Sequence, residues 1–170
     1  MGEKFVMLAL SSTDDRIRRG MPVSPGFLFA ALLWHQVLEK WAAYRASGEY
    51  PIPALHLAAD DVLETQTDKL ALQRKITSDM RELWALQPRF EQRSGKRPYG
   101  VLEQPRFKAS YDFLLLRAES GEVENELAQW WTDFLNHDGD ARAAMLLPPK
   151  PDEAKKRRRR KRKPTAGQTE

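Results

Sequence analysis

Apolar residues recur at spacings of three and four from Phe5 to Phe134, and no stretch alternates convincingly with period two. The pattern predicts an all-α fold, five to six helices with short links packed as a compact bundle. Residues 3–10 read as the end of a helix carrying Phe5 and Leu8. "SSTDDRIRRG" then reads as a short turn, capped by Ser11, Ser12 or Thr13 and closed by Gly20. The clearest helix begins at Ser24, a candidate N-cap, with Pro25 in the first helical position, where a missing N–H costs nothing. Phe27, Ala30, Ala31, Trp34, Leu38 and Trp41 form its stripe. Leu28, Phe29, Leu32 and Leu33 widen that stripe until the first half is apolar nearly all round, as in a central helix. Gly48 and "YPIP" stop it.

Further helices are expected at about residues 54–67 and 77–93, after Pro105, and at about residues 122–136. Met80, Leu83, Trp84, Gln87 and Phe90 share one side of the second of these. "SGKRPYG" and a short turn at residues 101–103 separate it from the third, whose stripe is Phe107, Tyr111, Leu114, Leu115 and Ala118. The last carries Val123, Leu127, Trp130, Trp131 and Phe134. Order is expected to fade from Asp138, dividing the chain into a helical domain at 1–140 and a disordered linker and Arg/Lys-rich tail at 141–170.

Composition adds limits. The 170 residues are 41% hydrophobic, with 5 Trp, 7 Phe and 4 Tyr, enough to fill a core. The absence of cysteine rules out disulfides, thiolate metal sites and cysteine nucleophiles, and fits a reducing cytosol. No run approaches the roughly 18 apolar residues of a membrane span. The apolar part of "MGEKFVMLAL" is too short for a secretory signal. The net charge of +4 hides a segregation. Residues 1–147 hold 18 Lys/Arg and 21 Asp/Glu, a net of −3, while residues 148–170 hold 10 and 3, a net of +7. Inside the body, residues 69–108 hold 10 basic and 4 acidic side chains, a net of +6. A basic stretch held by a fold says more about a partner than the overall charge does.

The chain does not read as an enzyme by itself. It has no G-x-S-x-G elbow and no glycine-rich phosphate loop. "RSGKRP" contains Gly95-Lys96, but Phe90 and Arg97 stand where a phosphate loop needs glycine and Ser or Thr. His35 and Glu39 share a helix face, yet with 3 His and no Cys a third metal ligand is hard to find. Asp60 and Asp61 point about 100° apart on a helix, which does not suit a two-metal site. Near a helix start they would favour the positive end of the macrodipole. No catalytic residue and no metal ligand is assigned.

The positive charge has a direction. With Arg81 at 0° and about 100° per residue, Arg74, Lys75, Arg89 and Arg93 fall between roughly 20° and 120°. The apolar stripe falls between roughly 180° and 300°, on the opposite face. Lys96 and Arg97 carry the charge into the loop, and Arg106 and Lys108 open the next helix, where they oppose its dipole. A bound phosphate there would remove the conflict. Tyr99 could stack on a base; Phe107 belongs to the apolar stripe and fits the core better. A solvated helix face is the plain alternative. The tail run Lys155, Lys156, Arg157, Arg158, Arg159, Arg160, Lys161, Arg162 and Lys163 suits a sequence-blind grip on phosphates. A nuclear address is a further reading of such a run.

"TDDRIRRGMPVSPGFLFAALLW", "RELWALQPRFEQRSGKRPYGVLEQPRFKASYDFLLLRAE" and the closing "WW" with its arginine-rich tail resemble the C-terminal part of the bacterial poly(A) polymerase I family. The similarity runs in order over nearly the whole chain, and residues 93–97 and 101–119 are its most specific part. Pro88 is a departure, placed where the family more often continues a helix. The resemblance implies a bacterial, cytoplasmic, arginine-rich domain that contacts RNA beside a nucleotidyltransferase head. That head, which would bind ATP and Mg²⁺ for polynucleotide adenylyltransfer, has no counterpart in this sequence, so no cofactor is assigned to this chain. The expected partners are RNA and, beyond it, a polymerase head or RNA-decay proteins, with no membrane. A second reading is a protein-interaction domain that docks such partners through the exposed parts of Trp34, Trp41, Trp130 and Trp131.

Overall fold

Prolines open three of the helices, and left-handed residues close four of them. Pro25 and Pro51 each sit in the first turn of a helix, and the Ser24 hydroxyl accepts the Phe27 N–H at 3.4 Å. The computed structural model describes residues 2–149. Eight helices form among them: α1 (Gly2–Arg18), α2 (Pro25–Ala46), α3 (Pro51–Leu70), α4 (Arg74–Leu86), α5 (Arg97–Leu102), α6 (Phe107–Glu119), α7 (Asn125–Asn136) and α8 (Gly139–Ala144). A 3₁₀ turn, Pro88–Glu91, follows α4, and the described residues contain no strand. The all-α expectation holds, with six long helices and two of only 6 residues, α5 and α8. No helix among the described residues is long and apolar enough to cross a membrane.

Three local expectations change. "SSTDDRIRRG" is not a separate turn, since α1 runs unbroken to Arg18. Thr13 bonds back to the Ala9 carbonyl at 2.9 Å, so its hydroxyl is satisfied along the helix instead of capping one. The helix expected at 77–93 starts earlier and ends at Leu86, because Pro88 cannot donate to the ladder. The turn expected at 101–103 is mostly the last turn of α5.

Two apolar cores share two helices, α4 and α6. In the first, α1 to α4 contribute Phe5, Trp34, Val37, Leu55, Val62 and Trp84, joined by Phe113 and Leu116 of α6. Phe113 stands at its centre, edge-on to Phe5, Phe27 and Trp34 with ring centroids 5.1, 5.8 and 5.3 Å away. In the second, Phe107, Tyr111 and Leu114 of the same α6 meet Phe90, Val101, Trp130, Trp131 and Phe134. The Trp131 indole donates to the Phe90 carbonyl at 2.8 Å. Order does not fade at Asp138 as expected, because α8 and the residues after it fold back on this core: Trp130 donates to the Met145 carbonyl at 3.1 Å, and the Leu147 N–H to the Arg93 carbonyl at 3.0 Å. The run from Lys155 to Lys163 lies outside the described residues.

Candidate nucleic-acid interface

Helix α4 turns Met80, Leu83 and Trp84 inward and leaves Arg74, Lys75 and Arg81 exposed on its outer side. The two faces are therefore opposed, as the spacing predicts. The 3₁₀ turn then breaks the 100° progression, so Arg89 and Arg93 leave the α4 stripe and sit half-buried beyond it. Lys96 and Arg97 are exposed where α5 begins, and Arg106 and Lys108 are exposed where α6 begins.

Several of these cations meet acids from other helices. Arg81 pairs with Asp60 of α3. Arg93 donates to Glu126 of α7 at 2.6 Å, and its guanidinium lies 5.8 Å from the Trp130 ring centroid. Arg106 reaches back to α4, to Asp79 at 2.5 Å and Glu82 at 3.3 Å. Lys108 and Arg16 of α1 share the Asp112 carboxylate, each at 3.1 Å. The conflict between basic residues and the α6 dipole is thus eased by carboxylates, with no phosphate required. Arg97 is also engaged. Among the described residues, Arg74, Lys75, Arg89 and Lys96 have no side-chain hydrogen bond or ion pair to the rest of the fold. The exposed ion pairs of Arg81, Arg106 and Lys108 each contribute little in water.

A groove of about 290 Å³ runs beside this charge, lined by Ser12, Thr13, Arg16, Ser24, Arg106 and Lys108 among others. Its hydroxyls and cations suit an anion, while Asp112 in its wall and Asp79 behind Arg106 offset the charge. Tyr99 is half-buried with its ring edge-on to Phe134 at 5.5 Å, which leaves only part of it for stacking. Phe107 is buried and stacks on Tyr111 at 5.9 Å, a core residue as expected.

The tryptophan surface suggested by the sequence is corrected. Trp34, Trp130 and Trp131 are buried in the two cores, and half-buried Trp41 donates to the Pro51 carbonyl at 3.0 Å. His35 and Glu39 are exposed on α2. Asp60 and Asp61 lie mid-helix in α3, not near its start, and no group of three or more His, Cys, Asp or Glu suited to a metal occurs among the described residues. Asp61 instead accepts from the Tyr44 hydroxyl at 2.5 Å. That hydrogen bond, then desolvation and the negative charge of Asp61, push the Tyr44 phenol above its ordinary range.

Sequence reasoning missed the most buried charge among the described residues. Arg117 of α6 is 5% exposed. Its guanidinium donates to Glu122 at 2.8 Å and to the Gln87 side-chain carbonyl at 3.0 Å, and lies 5.0 Å from the Trp34 ring centroid. Glu122 also accepts from the Trp34 indole at 2.8 Å, and Gln87 donates to the Leu83 and Ser110 carbonyls at 3.1 and 3.2 Å. Both acceptors of the guanidinium are thus held by further hydrogen bonds, as burial demands, while the Ser110 hydroxyl beside them is buried without a partner. The signal was a single arginine inside "FLLLRA" with a glutamate five residues on.

The chain matches the family described as "Polymerase A arginine-rich C-terminus" over residues 47–164. It is similar to the poly(A) polymerase I of Salmonella typhi, 41% identical over 138 residues, and to that of Escherichia coli O157:H7, 40% identical over 136. Each alignment covers 78% of this chain and 29% of the relative. The poly(A) polymerase I of Haemophilus influenzae Rd is 35% identical over 146 residues, 85% of this chain and 32% of the relative. The chain thus spans about three-tenths of the length of the curated relatives it matches.

Proposed function

The chain belongs to the arginine-rich C-terminal family of poly(A) polymerases, and from that premise we propose that it is an RNA-holding module. In this reading the helical body and the basic tail beyond it grip the RNA backbone. A catalytic head outside this sequence, with ATP and Mg²⁺, then adds adenylate to the 3′ end without a template. The observation that supports it is charge segregation within a family member: a net of +6 over residues 69–108 and +7 over residues 148–170. The tail supplies affinity without sequence preference. The exposed Arg74, Lys75 and Lys96 act first from the body. Arg81, Arg93, Arg97 and Arg106 contribute by exchanging their present partners for phosphate. Phosphate contacts of this kind set register and do not read sequence.

Binding of a fluorescently labelled single-stranded RNA, followed by anisotropy across a salt series, tests this. The logarithm of the association constant should fall with the logarithm of salt concentration, by about 0.7 for each phosphate neutralised. A flat dependence overturns the reading.

A further inference from the structure

A trough of about 520 Å³ lies between α1 and α6. Each helix gives it one stripe, Leu8, Ser12 and Asp15 from α1 and Asp112, Leu115 and Glu119 from α6, spaced by three or four residues. Leu8 and Leu115 are partly buried, and with Phe27 of α2 they make an apolar floor. Carboxylates edge that floor on both sides. Asp112 is already held by Arg16 and Lys108, and Asp15 pairs with Arg19 at 3.2 Å. Asp14 and Glu119 also line the trough; both are exposed and have no side-chain hydrogen bond or ion pair among the described residues. Arg16 and Arg18 line it too, so its four carboxylates outnumber its guanidinium groups by two. An apolar floor between carboxylates repels a polyanion and suits lysine and arginine, whose stems cover leucine while their heads meet the acids.

We infer that this trough docks the chain's own basic run, residues 155–163, as an autoinhibitory contact that RNA must displace. Charge selects this occupant. The run is nine Lys/Arg without an acid, while residues 1–68 and 109–147 together carry a net of −9. Reach permits it. Pro149 is the last described residue, so the run begins six residues beyond it and ends fourteen beyond it, about 20 and 50 Å of extended chain. A body of this length has a radius of gyration of about 15 Å. Tethering adds to both, since a joined segment meets its site at an effective concentration on the order of millimolar. The docking does not need RNA to be the ligand. Only its consequence, that the run is withheld until RNA competes for it, rests on the RNA-holding reading.

Carbodiimide coupling of the full chain, which joins a lysine amine to a carboxylate in contact with it, tests the docking. Mass spectrometry of the monomer should find Lys155, Lys156, Lys161 or Lys163 joined to Asp14, Asp15 or Glu119. Asp14→Asn with Glu119→Gln should lower the remaining yield at Asp15 about fivefold. Both substituted side chains are exposed, so the melting temperature should not move. No such linkage, or linkage only to Glu124, Asp138 or Asp140 around α7 and α8, overturns the inference. The same two substitutions should tighten single-stranded RNA about threefold in the parent, and should leave it unchanged in a full-length chain whose residues 155–163 are all glutamine. Equal tightening in both would show the acids repelling RNA directly, with no docked run to release, and overturns the autoinhibition. A chain that shows the linkages yet binds no RNA keeps the docking and overturns the RNA-holding reading.

Discussion

Ala71 closes α3 at φ 50°, the only positive φ among the described residues other than glycine. Its N–H bonds the Asp68 carbonyl and the Leu72 N–H bonds the Thr67 carbonyl at 3.1 Å, the paired bonds of a Schellman ending. The Cβ makes that conformation unfavourable, so Ala71→Gly should stabilise the fold by about 0.5–1 kcal/mol after the added freedom of the unfolded chain is counted. Urea denaturation reads this directly. Arg117 behaves in the opposite sense. Arg117→Leu would leave Glu122 and Gln87 without their buried partner and should cost about 3–5 kcal/mol, and a variant as stable as the parent would disprove the role. Tyr44 adds a pH term. Its folded pKa is raised, so its contribution is complete below the unfolded value near 10 and is lost as pH rises through the folded value. Thermal melts between about pH 8 and 11 should show that alkaline loss in the parent and less of it in Tyr44→Phe.

At the scale of elements, Gly121 ends α6 at φ 83° and turns the chain so that the Glu122 N–H bonds the Arg117 carbonyl at 2.9 Å. The same reversal brings the Glu122 carboxylate under the Arg117 guanidinium. Gly121→Ala should therefore cost about 1–2 kcal/mol through backbone strain alone. Circular dichroism melts would measure it, and a loss well beyond that range would show that Glu122 had been displaced as well. Periodicity revealed α2, α3, α4, α6 and α7 because each has a broad apolar face. It hid the continuity of α1, whose middle is hydroxyl and acid, and α5, which is only 6 residues long. Opposed faces on α4 were legible from spacing, whereas the acids facing Arg81 and Arg106 were not. Asp60 is 21 residues from Arg81, and Asp79 is 27 from Arg106, so only folding brings them together. Arg117 was illegible for another reason: a charge in a sequence is read as surface unless its buried partners are known.

For the whole molecule, the distribution of charge ranks the parts of the proposed interface. A chain ending at Leu147 should lose most RNA affinity, about equally for all sequences, and its salt slope should become shallower. Lys96→Ala should lower the slope by about 0.7 if that side chain meets one phosphate. Arg106→Ala should change RNA affinity less, because its carboxylate partners already hold it, but it would leave Asp79 and Glu82 facing each other near α6. Anisotropy across salt concentrations separates these outcomes. The joint between the cores has a different consequence. Helix α6 lends Phe113 and Leu116 to one core and Phe107, Tyr111 and Leu114 to the other, so neither half can melt and leave its neighbour intact. The body should unfold in a single step, and a nonsense codon falling after α5 would deprive both halves of α6, one of the two helices they hold in common.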